Sequence, residues 1–334
     1  MHRLRKPYLV FLGDVSLRSD AKTGFGLRDW CRDDVIGEYG LGAARVSLDL
    51  PKMTPAEAAA AGAGSIVIGV APAGGRLPLA WIPALVASLE AGLDVVSGMH
   101  TRLERHQELV DAAKVTGAQL INVRHSDRDW SVGTGIRRSG RRLLTVGTDC
   151  ALGKKYTALA IGRALTARGI RATFRATGQT GILIAGQGVA IDAVISDFVA
   201  GAAEALSPSN DPDHWDVIEG QGALFHPAYA GVTLGLLHGS QPDAIVLCHD
   251  PSRKTIEDHP HVPLPALNEA IRRYIEAGRL TNPDIRCVGV AINSSTLSDT
   301  DWALYQDRTR TELQLPVCDP MRGGVGPIVE ALIA

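Results

Sequence analysis

Aromatic side chains are scarce in this sequence: they make up 5% of 334 residues, against 36 glycines and abundant alanine. So few rings do not suit an aromatic-filled β-sandwich; tightly turned α/β units with close helix–sheet packing fit the balance better. Cysteine is equally thin. The five cysteines (Cys31, Cys150, Cys248, Cys287 and Cys318) form no CxxC pair and no even framework. That argues against a zinc site or disulfide scaffold and for a reducing compartment. Long apolar runs are missing too: no stretch approaches the ~18 residues of a membrane helix. The apolar Tyr8–Leu12 is too short for a secretory signal, and Asp14 stands where a small-residue cleavage site should lie. A cytoplasmic protein with no membrane partner is expected. Charge of one sign is also lacking; the net charge of −2 provides no basic field to attract nucleic acid. The local cluster Arg137, Arg138, Arg141 and Arg142 reads as a solvated linker ahead of a strand.

The length suggests two domains of roughly 150 residues each. In the first part, strand-like runs at Tyr8–Leu12, Ser65–Val70, Asp94–Ser97 and Gln119–Val123 alternate with helical stretches at Pro55–Ala61, Ile82–Ala91 and Arg102–Thr116. A second series has strands at Leu143–Val146, Ala172–Ala176, Val217–Glu219, Ala244–Cys248 and Cys287–Ile292. Its helices are expected at Lys155–Arg168, Asp192–Leu206, Leu264–Ala277 and Ser298–Gln314. Strands separated by helices of this length imply parallel sheets, which receive ligands at the carboxyl ends of their strands. The expected class is α/β: a Rossmann-like N-terminal domain (1–139) plus a P-loop NTPase-like C-terminal domain (140–334) with a mainly parallel sheet. The polar stretch Ser126–Ser139 marks the boundary, and a homo-oligomer is the expected assembly.

The strongest feature is LLTVGTDCALGKKYTALAIGRAL, residues 143–165. An apolar strand runs into Gly147, a loop ends in Gly153-Lys154, and an amphipathic helix follows, the context a phosphate-binding loop requires. Glycines let successive backbone N–H groups point inward, the helix start adds its positive end, and Lys154 supplies a point charge. Thr148, Asp149, Cys150, Gly153, Lys154, Lys155, Tyr156 and Thr157 are therefore the candidate cofactor-binding residues. The spacing is one residue longer than in the common P-loop, and this GTD-x3-GK form resembles dethiobiotin synthetase. Lys155 stands where a Mg²⁺-ligating Ser or Thr is expected. A second ammonium neutralises phosphate directly, so the loop fits an anionic cofactor held without a Mg–ATP arrangement; Thr157 is the alternative hydroxyl.

Other segments carry weaker signals. Glu219 ends an apolar strand beside the loop, with Gly220 and Gly222 letting the chain turn closely past a ligand; it is a candidate to orient or deprotonate an amine. His226 and His238 are candidate proton carriers. Asp197 lies amid apolar residues, where a buried carboxylate needs a partner, and Asp192 reads as a helix N-cap. Arg175, Arg322 and Lys22 are candidates to hold substrate carboxylates, Lys22 within the glycine-bearing stretch 13–30 read as an anion-accepting loop. No metal site is expected.

Taken together, GTDCALGKKYTA, TGQTGILIAGQGVAIDAVISDFVAGAAE, IEGQGALFHPAYAGVTLGLLHGSQPDAIVLCHD and DPMRGGVGPI resemble the D-glutamate N-acetyltransferase family. The resemblance covers most of residues 143–328 and extends more loosely into the first domain. It implies transfer of acetyl from acetyl-CoA to the amine of D-glutamate, with small-molecule substrates only. Coenzyme A offers a diphosphate and a ribose phosphate to Lys154 and Lys155, with no γ-phosphate to require Mg²⁺. His226 or Glu219 would then be the base, and a covalent intermediate on Cys150 is a lesser option. Two other readings stay open: an ATP/Mg-dependent ligase or kinase like dethiobiotin synthetase, and a non-catalytic nucleotide-binding regulator.

Overall fold

The computed structural model describes residues 4–42, 44–70, 75–125 and 128–334. The chain divides into two compact units, Met1–Arg128 with Gln179–Ala190, and Asp129–Gly178 with Ile191–Ala334. The division falls ahead of the boundary expected at 139/140, and a short piece of the later sequence joins the first unit.

In the first unit the elements run β1 (Tyr8–Gly13), α1 (Lys22–Trp30), β2 (Val35–Gly40), α2 (Pro55–Ala60), β3 (Ser65–Ile68), α3 (Ile82–Glu90), β4 (Asp94–Ser97), α4 (Gln107–Thr116) and β5 (Leu120–Asn122). The five strands are all parallel in the order β2-β1-β3-β4-β5. β1 and β3 are buried along their whole length, as both-face coverage demands of a parallel sheet. Local chemistry starts α2: Thr54 accepts the amide of Glu57, whose carboxylate returns to the Thr54 N–H at 2.8 Å, with Pro55 at the first helical position. The expected anion loop over 13–30 is corrected here, because Gly24 and Gly26 lie buried inside α1. Gly24 serves close packing: its N–H donates to the carbonyl of Gly69 at 2.7 Å. The suggestive stretch Ala71–Pro78 falls half outside the described residues.

The second unit runs β6 (Arg141–Gly147), α5 (Lys154–Ala167) and β7 (Ala172–Arg175). The chain then passes through α6 (Gln179–Ala185), which belongs to the first unit, where Thr180 shares a 2.9 Å hydrogen bond with Thr23. It continues with α7 (Val199–Leu206), β8 (Trp215–Ile218), α8 (Ala230–Ser240), β9 (Ala244–His249), the antiparallel hairpin β10 (Thr255–Ile256) and β11 (His259–Pro263), α9 (Leu267–Gly278), β12 (Arg286–Ile292), α10 (Asp299–Leu313), β13 (Val317–Cys318) and α11 (Gly326–Ile333). Its six-stranded sheet is parallel throughout, in the order β13-β12-β9-β6-β8-β7. Strand order reverses at β6: the chain goes out to β7 at the sheet edge, returns to β8 beside β6, and then crosses to β9 on the other side. A reversal of this kind opens the crevice in which doubly wound sheets hold ligands, and the glycine loop leaves from that strand. Among the described residues no helix is long and apolar enough to cross a membrane.

The arginine cluster is solvated only in part: Arg137 and Arg141 are exposed, but the others are not. Arg142 is buried and donates to Ser207 Oγ and to the carbonyls of Arg138, Ser139, Gly140 and Pro208, while Arg137 pairs with Asp243. A guanidinium with five donors can be buried when carbonyls take them up.

Candidate active site

The loop between β6 and α5 carries Ala151 at φ +52° and Gly153 at φ +102°. Left-handed residues interspersed in a loop make the concave backbone that collects anions. Lys154 folds back across it, its buried Nζ donating to the Asp149 carbonyl at 2.8 Å. Burial pushes this ammonium below its ordinary pKa. A Cβ on Gly147 would come within 3.2 Å of that Nζ, so glycine there lets the lysine lie against the strand end.

Three neighbouring elements hold the loop. From α9, Tyr274 donates to the carbonyl of Gly147 at 2.8 Å and accepts the amide of Leu224 at 2.9 Å. At the end of β9, His249 shares a 2.9 Å hydrogen bond with Thr148, and burial pushes its pKa down to about 4, so the ring is neutral. Beyond β9, Arg253 binds the buried Asp149 carboxylate at 2.8 Å and the Cys150 carbonyl at 3.0 Å. The Glu257 and Cys150 amides also donate to the Asp149 carboxylate. Asp149 is therefore a brace for the loop, tied to a hairpin that spacing alone did not single out.

On the β8 side, Glu219 is buried and accepts the amides of Thr177 at 3.0 Å and Gly178 at 3.1 Å. Burial raises its pKa, opposed by the charge of Lys155 and by those two amides. Such a carboxyl releases its proton closer to neutrality than an exposed one. Gly220 follows, and a Cβ there would fall 1.7 Å from the Thr145 carbonyl oxygen and 3.0 Å from Lys154 Cδ. Gly220→Ala is accordingly expected to cost about 3 kcal/mol or more through overpacking against backbone, seen as a fall in the urea midpoint at unchanged m-value.

On the β9 side, His226 is buried, with a ring nitrogen within 4.8 Å of the Cys150 sulfur and an Asp149 oxygen. The three together make a poor metal site. The Asp149 oxygens are already bonded, and burial pushes the Cys150 thiol up to about 11.

The structure thus brings Thr148 to Thr157, Glu219 and His226 to one edge of the sheet and leaves the other expected residues elsewhere. Asp197 is exposed in a short turn ahead of α7, not buried among apolar groups, and Asp192 sits in a separate turn and caps no long helix. Asp197→Asn should leave turnover unchanged and move stability by no more than ~0.5 kcal/mol, in line with surface substitutions generally. Arg175 is tied to the buried Asp216 at 2.8 Å, Arg322 pairs with Asp299 and the Leu297 carbonyl, and His238 shares a 3.0 Å hydrogen bond with the carbonyl of Ala277 on α9. All three have structural partners within the second unit. Lys22 is exposed at the start of α1 in the first unit. Thr157 is buried and its hydroxyl accepts the Cys248 thiol at 3.5 Å.

Family models match both units: a domain of unknown function described as the DUF1611 P-loop domain over residues 131–329, and the Rossmann-like DUF1611_N domain over 40–126. The chain belongs to the DUF1611 family. It is 45% identical to the D-glutamate N-acetyltransferase of Tritonibacter scottomollicae over 331 residues, and 43% identical to a protein of the same name from a Pseudoalteromonas species over 330 residues. Both alignments cover 99% of each chain. The crystal structure of a DUF1611 family protein from Anabaena variabilis is similar at 32% identity, with a TM-score of 0.89 over 98% of this chain and 99% of that one. Membership brings the fold with it: Rossmann-like first, P-loop second, both sheets parallel.

Proposed function

We propose that this protein is an N-acetyltransferase that moves acetyl from acetyl-CoA to the amino group of D-glutamate. The carrying observation is end-to-end similarity, at 43–45% identity, to two proteins bearing that name. The site supports it. Lys154 and Lys155 start α5 with two ammonium groups and no hydroxyl between them, which suits a diphosphate held directly. Magnesium–ATP fits less well: Lys155 fills the metal-ligating position, and the Thr157 hydroxyl is buried on Cys248.

In this reading the loop amides and both lysines hold the donor's diphosphate. An extended pantetheine arm carries the thioester several peptide-like units further, at about 3.5 Å each. A group in contact with the loop therefore serves the phosphates, and His226 is such a group. Its Nδ1 accepts the Ala228 amide at 3.1 Å, so the neutral ring is a donor at Nε2 rather than a base. Glu219, on the other flank, is the base: it removes a proton from the substrate ammonium, and the free amine attacks the thioester carbonyl. The C–S bond breaks, the nitrogen sheds its second proton as the amide forms, and the departing thiolate takes up that proton. Cys150, a neutral thiol inside the loop, lies too close to the phosphates to carry the acetyl group.

The test is thiol release from acetyl-CoA with D- and L-glutamate, run beside Mg–ATP reactions. Release that depends on D-glutamate is expected. ADP formation without thiol release would establish the ligase reading instead, and tight binding without turnover a regulator.

A further inference from the structure

The base and the phosphate cradle share one wall. Glu219 follows β8, which lies beside β6 with Ile218 opposite Leu144. The next residue, Gly220, donates to the Thr145 hydroxyl at 3.0 Å, and a Cβ there would stand 3.0 Å from Lys154 Cδ. The chain that carries Glu219 therefore packs against the lysine stem that starts α5. Within the carboxyl group the two oxygens differ. Thr177 and Gly178 both donate their amides to Oε2, at 3.0 and 3.1 Å. Gly178 also lies close to the other oxygen: a Cβ there would be 3.4 Å from Oε1. With Oε2 held by two amides, Oε1 is the atom that takes up a proton.

Charged groups approach this carboxyl from each element around it. Burial favours its neutral form; against that, the charge of Lys155 favours the ionised form, and the charge of Asp192 opposes it. Asp192 is brought close by Thr177, whose carbonyl accepts the Ile191 amide at 3.0 Å. Lys154 turns its ammonium to the Asp149 carbonyl, and Arg175 on β7 is taken up by Asp216. Lys155 thus belongs to both halves of the site, one of the two ammonium groups of the cradle and the cation that acts on Glu219.

We infer that Lys155 couples the two halves: its charge offsets the Glu219 carboxylate in the free protein and is cancelled there by the diphosphate of the bound donor, so that loading the donor readies the base. This deepens the acetyl-CoA reading and rests on it. A diphosphate in the cradle opposes the cation at Oε1, and Glu219 then holds a proton more strongly. Reciprocally, the donor binds more tightly when Glu219 is protonated than when it is charged. The proton transfer keeps its balance: an N–H bond of the substrate ammonium breaks, an O–H bond forms at Oε1, and nitrogen retains the electron pair for attack on the thioester.

Dephospho-coenzyme A is the probe, because its diphosphate is a diester with no proton to exchange near neutrality. Its affinity for the native protein, read by calorimetric titration, should fall by about tenfold as pH rises through the Glu219 transition, with net proton uptake on binding inside that window. Glu219→Gln should remove both the slope and the uptake. Lys155→Gln should move the transition to a proton concentration about tenfold lower, while Lys155→Arg keeps the native one. The infrared carboxyl band that disappears in Glu219→Gln reads the same movement without any ligand. A slope that survives in Glu219→Gln, or a Lys155→Gln transition at the native pH, would overturn the coupling. If acetyl reaches D-glutamate but the probe binds equally at every pH, the coupling alone fails. If the slope is found and no acetyl is transferred, the acetyltransferase reading fails and the coupling of anion to Glu219 stands. Failure of the native protein to bind the probe would remove both.

Discussion

Lys154→Ala is expected to raise the KM for acetyl-CoA by about 100-fold, equivalent to about 2.7 kcal/mol, while the thermal midpoint holds or rises. Both halves follow from one geometry. The ammonium is buried at the start of α5 and, among the described residues, donates to the Asp149 carbonyl across the loop. A diphosphate arriving there meets a cation already out of water, where charge-assisted hydrogen bonds are worth most. The same burial penalises the folded protein before any ligand binds. Because desolvation lowers the lysine pKa in the fold, the unfolded chain binds more protons over the window between the folded and free values. Stability therefore rises with pH across that window. Alanine removes the slope together with the penalty. Calorimetric titration with coenzyme A and a thermal melt at two pH values check both halves. Full coenzyme A affinity in the variant would contradict the cradle.

How the sequence expresses such a site depends on the range over which each part is built. The phosphate loop was legible because strand, glycine turn and helix start are contiguous, and backbone conformation there is set by Gly147, Gly153 and the residues between. β1, β3, β4, β6, β9 and β12 were legible as apolar runs for the same reason: in a parallel sheet, burial on both faces writes itself into consecutive residues. Long-range partners left no such trace. Arg175, Arg322 and His238 are residue types that bind substrates elsewhere, and only the fold shows them committed to Asp216, Asp299 and Ala277. Asp197 looked buried by composition, but the chain breaks into short turns before α7 and leaves it in solvent. α8 has little polar contrast between its faces, and α1, α6 and α11 are short, so periodicity marks them poorly. Arg253 lies just ahead of a polar hairpin that reads as an ordinary connection. The one available signal was its position just past the carboxyl end of β9, next to the strand where the order reverses.

Glu219→Gln separates a base from a brace. Glutamine keeps a side-chain oxygen able to accept the Thr177 and Gly178 amides, so any purely structural contribution survives the change. What it lacks is the ability to take a proton. Turnover should fall by about 10²- to 10⁴-fold, the usual contribution of a positioned base, with the KM for acetyl-CoA no higher because the lysines are intact. The pH dependence adds a second readout. Burial raises the carboxyl pKa in the fold, so the native protein's kcat should climb with pH through a limb lying above the ordinary carboxylate range, and that limb should vanish in the variant. Stability moves oppositely. Between the unfolded and folded values the native state binds more protons than the unfolded chain, so native stability declines as pH rises through that window. Above it the buried carboxylate is charged and imposes its full desolvation penalty, which glutamine does not bear. The variant should therefore melt no lower than the native protein at neutral pH while losing its chemistry. A variant that keeps kcat within tenfold would leave Glu219 as an acceptor for two backbone amides and send the search for the base elsewhere.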